Sequence, residues 1–91
     1  MVKKNSKTGV VTFSFDEPTK NQVYLVGDFN NWDANAMPLS KKSSKWTTEI
    51  KLKPGEYQFK YLANGNWYND HSADKYLPSP FGGDNSVVVI A

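Results

Sequence analysis

Two consecutive stretches of strict period-two alternation, joined by a Pro-Gly pair, limit what this chain can become more than any other feature. From Lys45 to Lys53, Trp46, Thr48, Ile50 and Leu52 fall on one side, with Lys45, Thr47, Glu49, Lys51 and Lys53 on the other. Beyond Pro54-Gly55, Tyr57, Phe59, Tyr61 and Ala63 alternate with Glu56, Gln58, Lys60 and Leu62. Successive side chains of an extended chain point to opposite faces, so each stretch reads as a half-buried strand and Pro54-Gly55 as the turn between them. Asn64-Gly65 is a two-residue hairpin signal leading into a short strand at Asn66–Tyr68. Val11, Phe13 and Phe15 alternate with Thr12 and Ser14 in the same way. Val23 to Val26, closed by Gly27, is a mostly apolar run that suits a central strand covered on both faces. Residues 16–21 read as a turn and 69–84 as a long loop, with a last strand at Ser86–Ile90.

No segment sustains apolar residues at helical spacing behind a cap, so no substantial helix is expected. Short strands with regular turn signals predict an all-β fold, an immunoglobulin-like antiparallel β-sandwich with six to eight short strands. With 91 residues there is room for a single core. A chain of this size buries only about 60–65% of its unfolded surface, so nearly every large apolar residue must serve that core. There is no cysteine, hence no disulfide, no thiolate nucleophile and no Cys-based zinc site. Residues 1–7, polar and lysine-rich, are expected to form a flexible tail before a module spanning 8–91. No apolar run approaches the roughly 20 residues that cross a bilayer. No apolar segment of signal-peptide type follows the polar start. A cytoplasmic protein without membrane contact is therefore expected, unless the chain is a domain of a longer one.

Eleven basic residues stand against nine acidic ones, and all eleven are lysine. Arginine's planar fork is the usual reader of phosphates and guanines, and its absence argues against a nucleic-acid partner. The lysines are scattered among acids, apart from the pairs Lys3-Lys4 and Lys41-Lys42.

The aromatic residues say more. They make up 14% of the chain, and core filling accounts for part of that. Trp46 belongs to an alternating strand and reads as core. Trp32 follows the turn-forming stretch Gly27-Asp28-Phe29-Asn30-Asn31, and Trp67 comes two residues after Asn64-Gly65. Each could fold back to cover an open end of the sandwich. Each could equally serve as a stacking platform for a pyranose ring, whose apolar C–H face fits the negative face of an indole. The hydroxyls on the ring edge then need donors and acceptors, which Asn30, Asn31, Asn64, Asn66, Asn69, Asn85 and Lys60 could supply.

Five pieces in order resemble carbohydrate-binding module family 48, the glycogen- and starch-binding module found in the β subunit of AMP-activated protein kinase and in isoamylases and branching enzymes. They are Val23-Tyr24-Leu25-Val26-Gly27-Asp28-Phe29-Asn30-Asn31-Trp32 with Met37-Pro38-Leu39, the strand holding Trp46, Pro54-Gly55-Glu56-Tyr57-Gln58-Phe59-Lys60-Tyr61, Asn64-Gly65-Asn66-Trp67, and Phe81-Gly82-Gly83-Asp84-Asn85-Ser86. The resemblance implies non-catalytic binding of α-1,4-linked glucans, with stacking by Trp32 and Trp67. It implies hydroxyl contacts from Lys60 and Asn85, and a further contact at Phe81, where the kinase subunit carries a leucine. A threonine of the kinase-subunit pattern is Gly83 here. The partner implied is an α-glucan, with a catalytic or regulatory protein beside it.

The rival readings have weaker footing. Asp28 with Asp33, or Asp70 with Asp74, could be imagined as a glycosidase pair, but no cleft-forming length surrounds them. His71 is the only histidine and makes a poor metal site. Asp28, Asn30 and Asp33 lack the glycine and terminal glutamate of a calcium loop. No metal or cofactor is therefore expected, and no enzyme activity. A packing domain that binds no sugar is the more serious alternative, but such a domain has no use for both Trp32 and Trp67 on its surface.

Overall fold

The computed structural model describes residues 1–16, 21–42, 45–80 and 82–91. Among these residues, nine strands form two antiparallel sheets. The first sheet runs β1 (Val2–Lys4), β2 (Val10–Phe15), β5 (Lys45–Lys51), β4 (Ser40–Lys42). The second runs β3 (Val23–Gly27), β6 (Gly55–Ala63), β9 (Asp84–Ile90), β8 (Lys75–Pro78), with β7 (Asn66–Tyr68) also paired to β6. This is the expected all-β sandwich, with nine strands among the described residues where six to eight were expected.

Alternation decides what each sheet turns inward. β2 pairs with β5 so that Val11 meets Ile50, Phe13 meets Thr48 and Phe15 meets Trp46, all on the inner face. From the second sheet Leu25, Phe59, Tyr61, Ala63 and Val88 face them. Phe13 and Phe59 sit edge to face with centroids 5.0 Å apart, as do Phe59 and Tyr61 at 5.8 Å, the arrangement favoured by the ring quadrupole. Trp46 packs against this core but is only partly buried.

One buried polar group belongs to the design. Tyr61 donates its phenol to Asp70 at 2.7 Å, and the Asp70 amide donates to Ser86 Oγ at 2.8 Å. Ser86 Oγ in turn donates to Asn69 Oδ1 at 2.9 Å. The segment after β7 thus enters the interior with its polar atoms satisfied, which burial demands.

The structure departs from the sequence reading at the margins of the sheets. Val2–Lys4, expected in a flexible tail, is a strand paired with Val11–Phe13. Val2 turns inward against the core, and Lys4 meets Asp74 at 2.7 Å. The long loop expected between Asn69 and Asp84 contains β8, paired to β9 from Lys75–Val87 to Pro78–Asp84. β3 lies at the end of its sheet's order rather than in its middle. Its free side is covered by residues 37–39, through Leu25 N–H to Met37 O at 2.9 Å and Leu39 N–H to Val23 O at 2.8 Å. The turn read at 16–21 lies largely outside the described residues. The only helical element among the described residues is a single 3-10 turn at Asp28–Asn30.

The two lysine pairs have a structural explanation. Lys3-Lys4 lies on β1 and Lys41-Lys42 on β4, the two outer strands of the first sheet. Strand edges expose unpaired backbone groups that invite another chain, and lysine blunts them.

Candidate functional site

The outward face of the second sheet gathers residues that sequence places far apart. On β6, Gln58, Lys60 and Leu62 point away from the core, since Phe59 and Tyr61 between them are buried in it. β7 sets Trp67 opposite Leu62, on that same face. On β9, Ser86 pairs with the inward Phe59, so Asn85 and Val87 turn outward. Trp32, Lys60, Trp67, Ser79, Gly82 and Asn85 line one open groove of about 400 Å³.

Trp67 owes its position to the hairpin before it. Asn64 and Gly65 both take left-handed backbone, φ 51° and 76°, which a two-residue turn between twisted strands requires. Trp67 is 49% exposed, one of the few large apolar residues among those described that stay open to solvent.

Trp32 is placed by the loop after β3. Asn30 Oδ1 accepts from Gly27 N–H at 3.0 Å while its amide donates to Leu25 O at 2.9 Å, closing the loop on the end of its own strand. Asn31 and Trp32 then take consecutive left-handed conformations, φ 56° and 57°. The Trp32 amide donates to Gly27 O at 2.9 Å. Asp28 fixes the ring: Oδ1 accepts from Trp32 Nε1 at 2.8 Å, and Oδ2 accepts from the Gln58 amide on β6 at 2.7 Å. Trp32 remains 36% exposed. Gly27 makes this crossing possible, because a Cβ there would lie 2.5 Å from Gln58 O and 2.8 Å from Phe59 Cβ.

The remaining sequence candidates divide. Lys60, half-buried at the base of the groove, forms no ion pair with any described residue. Asn85 is only 6% exposed, and its Nδ2 donates to Gln58 Oε1 at 3.1 Å, so its amide oxygen and second N–H are the groups left for the groove. Phe81 lies outside the described residues. Of the six asparagines read as hydroxyl partners, only Asn85 lines the groove. Asn30 is consumed in its loop, Asn31 and Asn64 supply turn conformations, and Asn69 donates to Asp84 O at 2.9 Å. Gly83, where the kinase-subunit pattern has threonine, has φ 65°, a conformation that a β-branched residue resists.

Sequence reasoning missed Asp28 as the partner of Trp32, and it missed Gln58. The signals were present: Asp28 is four residues before Trp32, and Gln58 shares Lys60's outward parity. The carboxylates considered for catalysis serve the scaffold. Asp28 holds Trp32 and β6, Asp33 accepts from Asn35 N–H at 2.9 Å, Asp70 is enclosed by Tyr61 and the loop, and Asp74 meets Lys4 and the Val89 amide. Among the described residues no three acidic or histidine side chains converge as a metal site. No helix of the described residues is long and apolar enough to cross a membrane.

Fold and groove together define a small β-sandwich module with an open, aromatic-walled groove on one face. The chain belongs to the family described as the glycogen recognition site of AMP-activated protein kinase, whose model matches residues 10–90. It is 33% identical over 69 residues to the 5'-AMP-activated protein kinase subunit beta-1 of Sus scrofa, covering 76% of this chain and 54% of that protein. It is 34% identical over 85 residues to the phosphoglucan phosphatase LSF1, chloroplastic, of Arabidopsis thaliana, covering 91% of this chain and 14% of that one. The crystal structure of maltogenic amylase from S. marinus superposes with a TM-score of 0.72 over 90% of this chain and 13% of its own, at 24% identity, a likeness of fold. The chain therefore spans about half of the first relative and a small part of the others.

Proposed function

We propose that this chain is a non-catalytic module that binds α-1,4-linked glucans, such as glycogen, starch and maltooligosaccharides, with Trp32 and Trp67 as its stacking platform. The observation that carries the reading is two exposed indoles and a Lys60 with no ion pair to any described residue, facing one groove. Glucose rings lay their apolar faces on the indoles, Lys60 donates to ring hydroxyls, and the Asn85 amide oxygen accepts from one. The family resemblance adds a further contact from Phe81. Because α-1,4 linkages curve the chain, tilted indoles cradle successive glucoses, whereas flat β-linked chains suit coplanar rings.

The groove is open and wet, so affinity is modest, about −4 to −7 kcal/mol or roughly millimolar to ten micromolar. Binding needs no metal or cofactor. The module would localise its protein on cytoplasmic glucan and work beside a catalytic or regulatory partner. Titration with maltoheptaose, followed by backbone amide shifts, tests the reading. Saturable shifts clustered at Trp32, Lys60 and Trp67 are expected, with none from cellohexaose. Shifts confined to the opposite sheet would reject it.

A further inference from the structure

The groove does not end at Trp32. Adjoining it at that residue is a second compartment of about 320 Å³, lined by Asp28, Trp32, Gln58, Ser79, Pro80 and Asn85. Trp32, Ser79 and Asn85 are common to both compartments, so the two adjoin along these residues. The second space differs in chemistry from the first. It adds the Asp28 carboxylate and the Gln58 primary amide where the first has the Trp67 indole and the Lys60 ammonium. Its volume falls within the range of ligand-holding clefts, about 300–1,000 Å³.

Gln58 is the group to watch there. Its Oε1 accepts from Asn85, while its Nε2 has no hydrogen bond to any described residue. A half-buried amide with two unused donors beside an open cavity is poised for a hydroxyl-bearing ligand. Asp28 retains lone pairs beyond those taken by Trp32 and Gln58 N–H, and so can accept a sugar hydroxyl as well.

We infer that the compartment beyond Trp32 is a second glucose subsite, in which Gln58 Nε2 and Asp28 bind hydroxyls of a glucan long enough to pass over the indole. This rests on the glucan-binding reading above and adds a prediction of its own, that affinity rises with chain length through Gln58. A trisaccharide fills the first compartment, and only a longer chain reaches the second.

The test measures dissociation constants for maltotriose and maltoheptaose by calorimetry in the unaltered chain, Gln58→Ala and Gln58→Glu. Gln58→Glu keeps an acceptor for Asn85 and removes the donors, so it separates direct contact from support of Asn85. Maltoheptaose should weaken by about fivefold or more in both variants, the size of one or two net hydrogen bonds, with maltotriose unchanged within twofold in Gln58→Glu, which keeps the Asn85 contact. In Gln58→Glu, equal weakening of both sugars, or of neither, would overturn the subsite while leaving the first groove standing. An unaltered chain that binds neither sugar would overturn both readings.

Discussion

Asp28 ties Trp32 to strand β6. One carboxylate oxygen receives the indole N–H at 2.8 Å and the other receives the Gln58 amide at 2.7 Å. A ring that is one-third exposed would otherwise sample several rotamers, and ordering it on binding carries an entropic cost of about 0.5–1.5 kcal/mol. The carboxylate removes much of that cost in advance, and its hydrogen bonds are charge-assisted.

Replacing Asp28 by alanine should therefore weaken maltoheptaose binding by about three- to tenfold, since one positioning bond is worth about 1 kcal/mol. The Trp32 indole would still be present, so binding should fall rather than vanish. Calorimetry measures the loss, and acrylamide quenching of tryptophan emission should show a looser, more accessible Trp32. Unchanged quenching with unchanged affinity would show that the ring is held without Asp28.

Trp67 and Trp46 should respond oppositely to truncation. Trp67 is half exposed on β7, so Trp67→Ala should abolish retention on amylose and shift stability by less than about 1 kcal/mol. Trp46 packs against the core and is opposite Phe15, so Trp46→Ala should cost about 3 kcal/mol, the lower end for a large aromatic. Amylose affinity electrophoresis and urea denaturation on both variants check the pair.

The alternating strands were legible because a single rule, two residues per repeat, governs a half-buried sheet. Trp46, Phe59 and Tyr61 could be assigned to the inside on that rule alone. β1, β4 and β8 escaped it because edge strands need not alternate: their lysines, tyrosine and proline answer to solvent and to backbone pairing instead. In the groove, Trp32, Lys60 and Trp67 were readable as out-of-core residues in a known order of motifs. Asn30 and Asn69 were misjudged because asparagine serves turns as readily as ligands, and only hydrogen-bond partners tell the two apart. Gln58 was hidden among ordinary outward strand residues, since its importance arises from Asn85 and Asp28 meeting it across the sheet.

Gly27 is the narrowest point of the site. Its backbone is extended, so glycine is required there by space alone: an added methyl would meet the Gln58 carbonyl, Phe59 Cβ and the Phe29 ring. Two of those neighbours are backbone or backbone-attached and cannot swing aside. Gly27→Ala should destabilise by about 3 kcal/mol, at the upper end for overpacking, and should displace the Trp32 loop. Chemical denaturation gives the first effect, and amide shifts at residues 28–32 give the second.

Lys4 and Asp74 clip β1 to the segment before β8, bridging the two sheets at their margin. Partial burial pushes the Asp74 carboxyl upward, but the Lys4 hydrogen bond, the Val89 amide and the Lys4 charge together hold it below the ordinary carboxylate range. A lowered folded-state value means the contribution is present above the unfolded value of about 3.9 and is lost as pH falls through the folded one. Because both side chains are more than one-third exposed, solvent screening leaves only a few tenths of a kcal/mol. Asp74→Asn should lower the urea midpoint slightly at pH 6 and low salt, with the difference shrinking at pH 2.5 and in 1 M salt.

Tyr61 sets the alkaline limit of the fold. Its phenol is buried and donates to Asp70, and burial first, then the Asp70 charge, pushes its ionisation far above the ordinary tyrosine value. In the unfolded chain the same phenol ionises near pH 10. The raised folded value therefore contributes full stability below pH 10, and above it the unfolded state is favoured by about 1.4 kcal/mol per pH unit. Stability should start to fall just above pH 10. Phenolate absorbance should report one of the five tyrosines ionising only together with loss of tertiary structure. In Tyr61→Phe the Asp70 carboxylate loses a donor, so the variant should be less stable at pH 7 by about 1–3 kcal/mol. Its stability should decline less steeply with alkali, and a Tyr61 phenolate detected in the still-folded protein would show that the site is open to water.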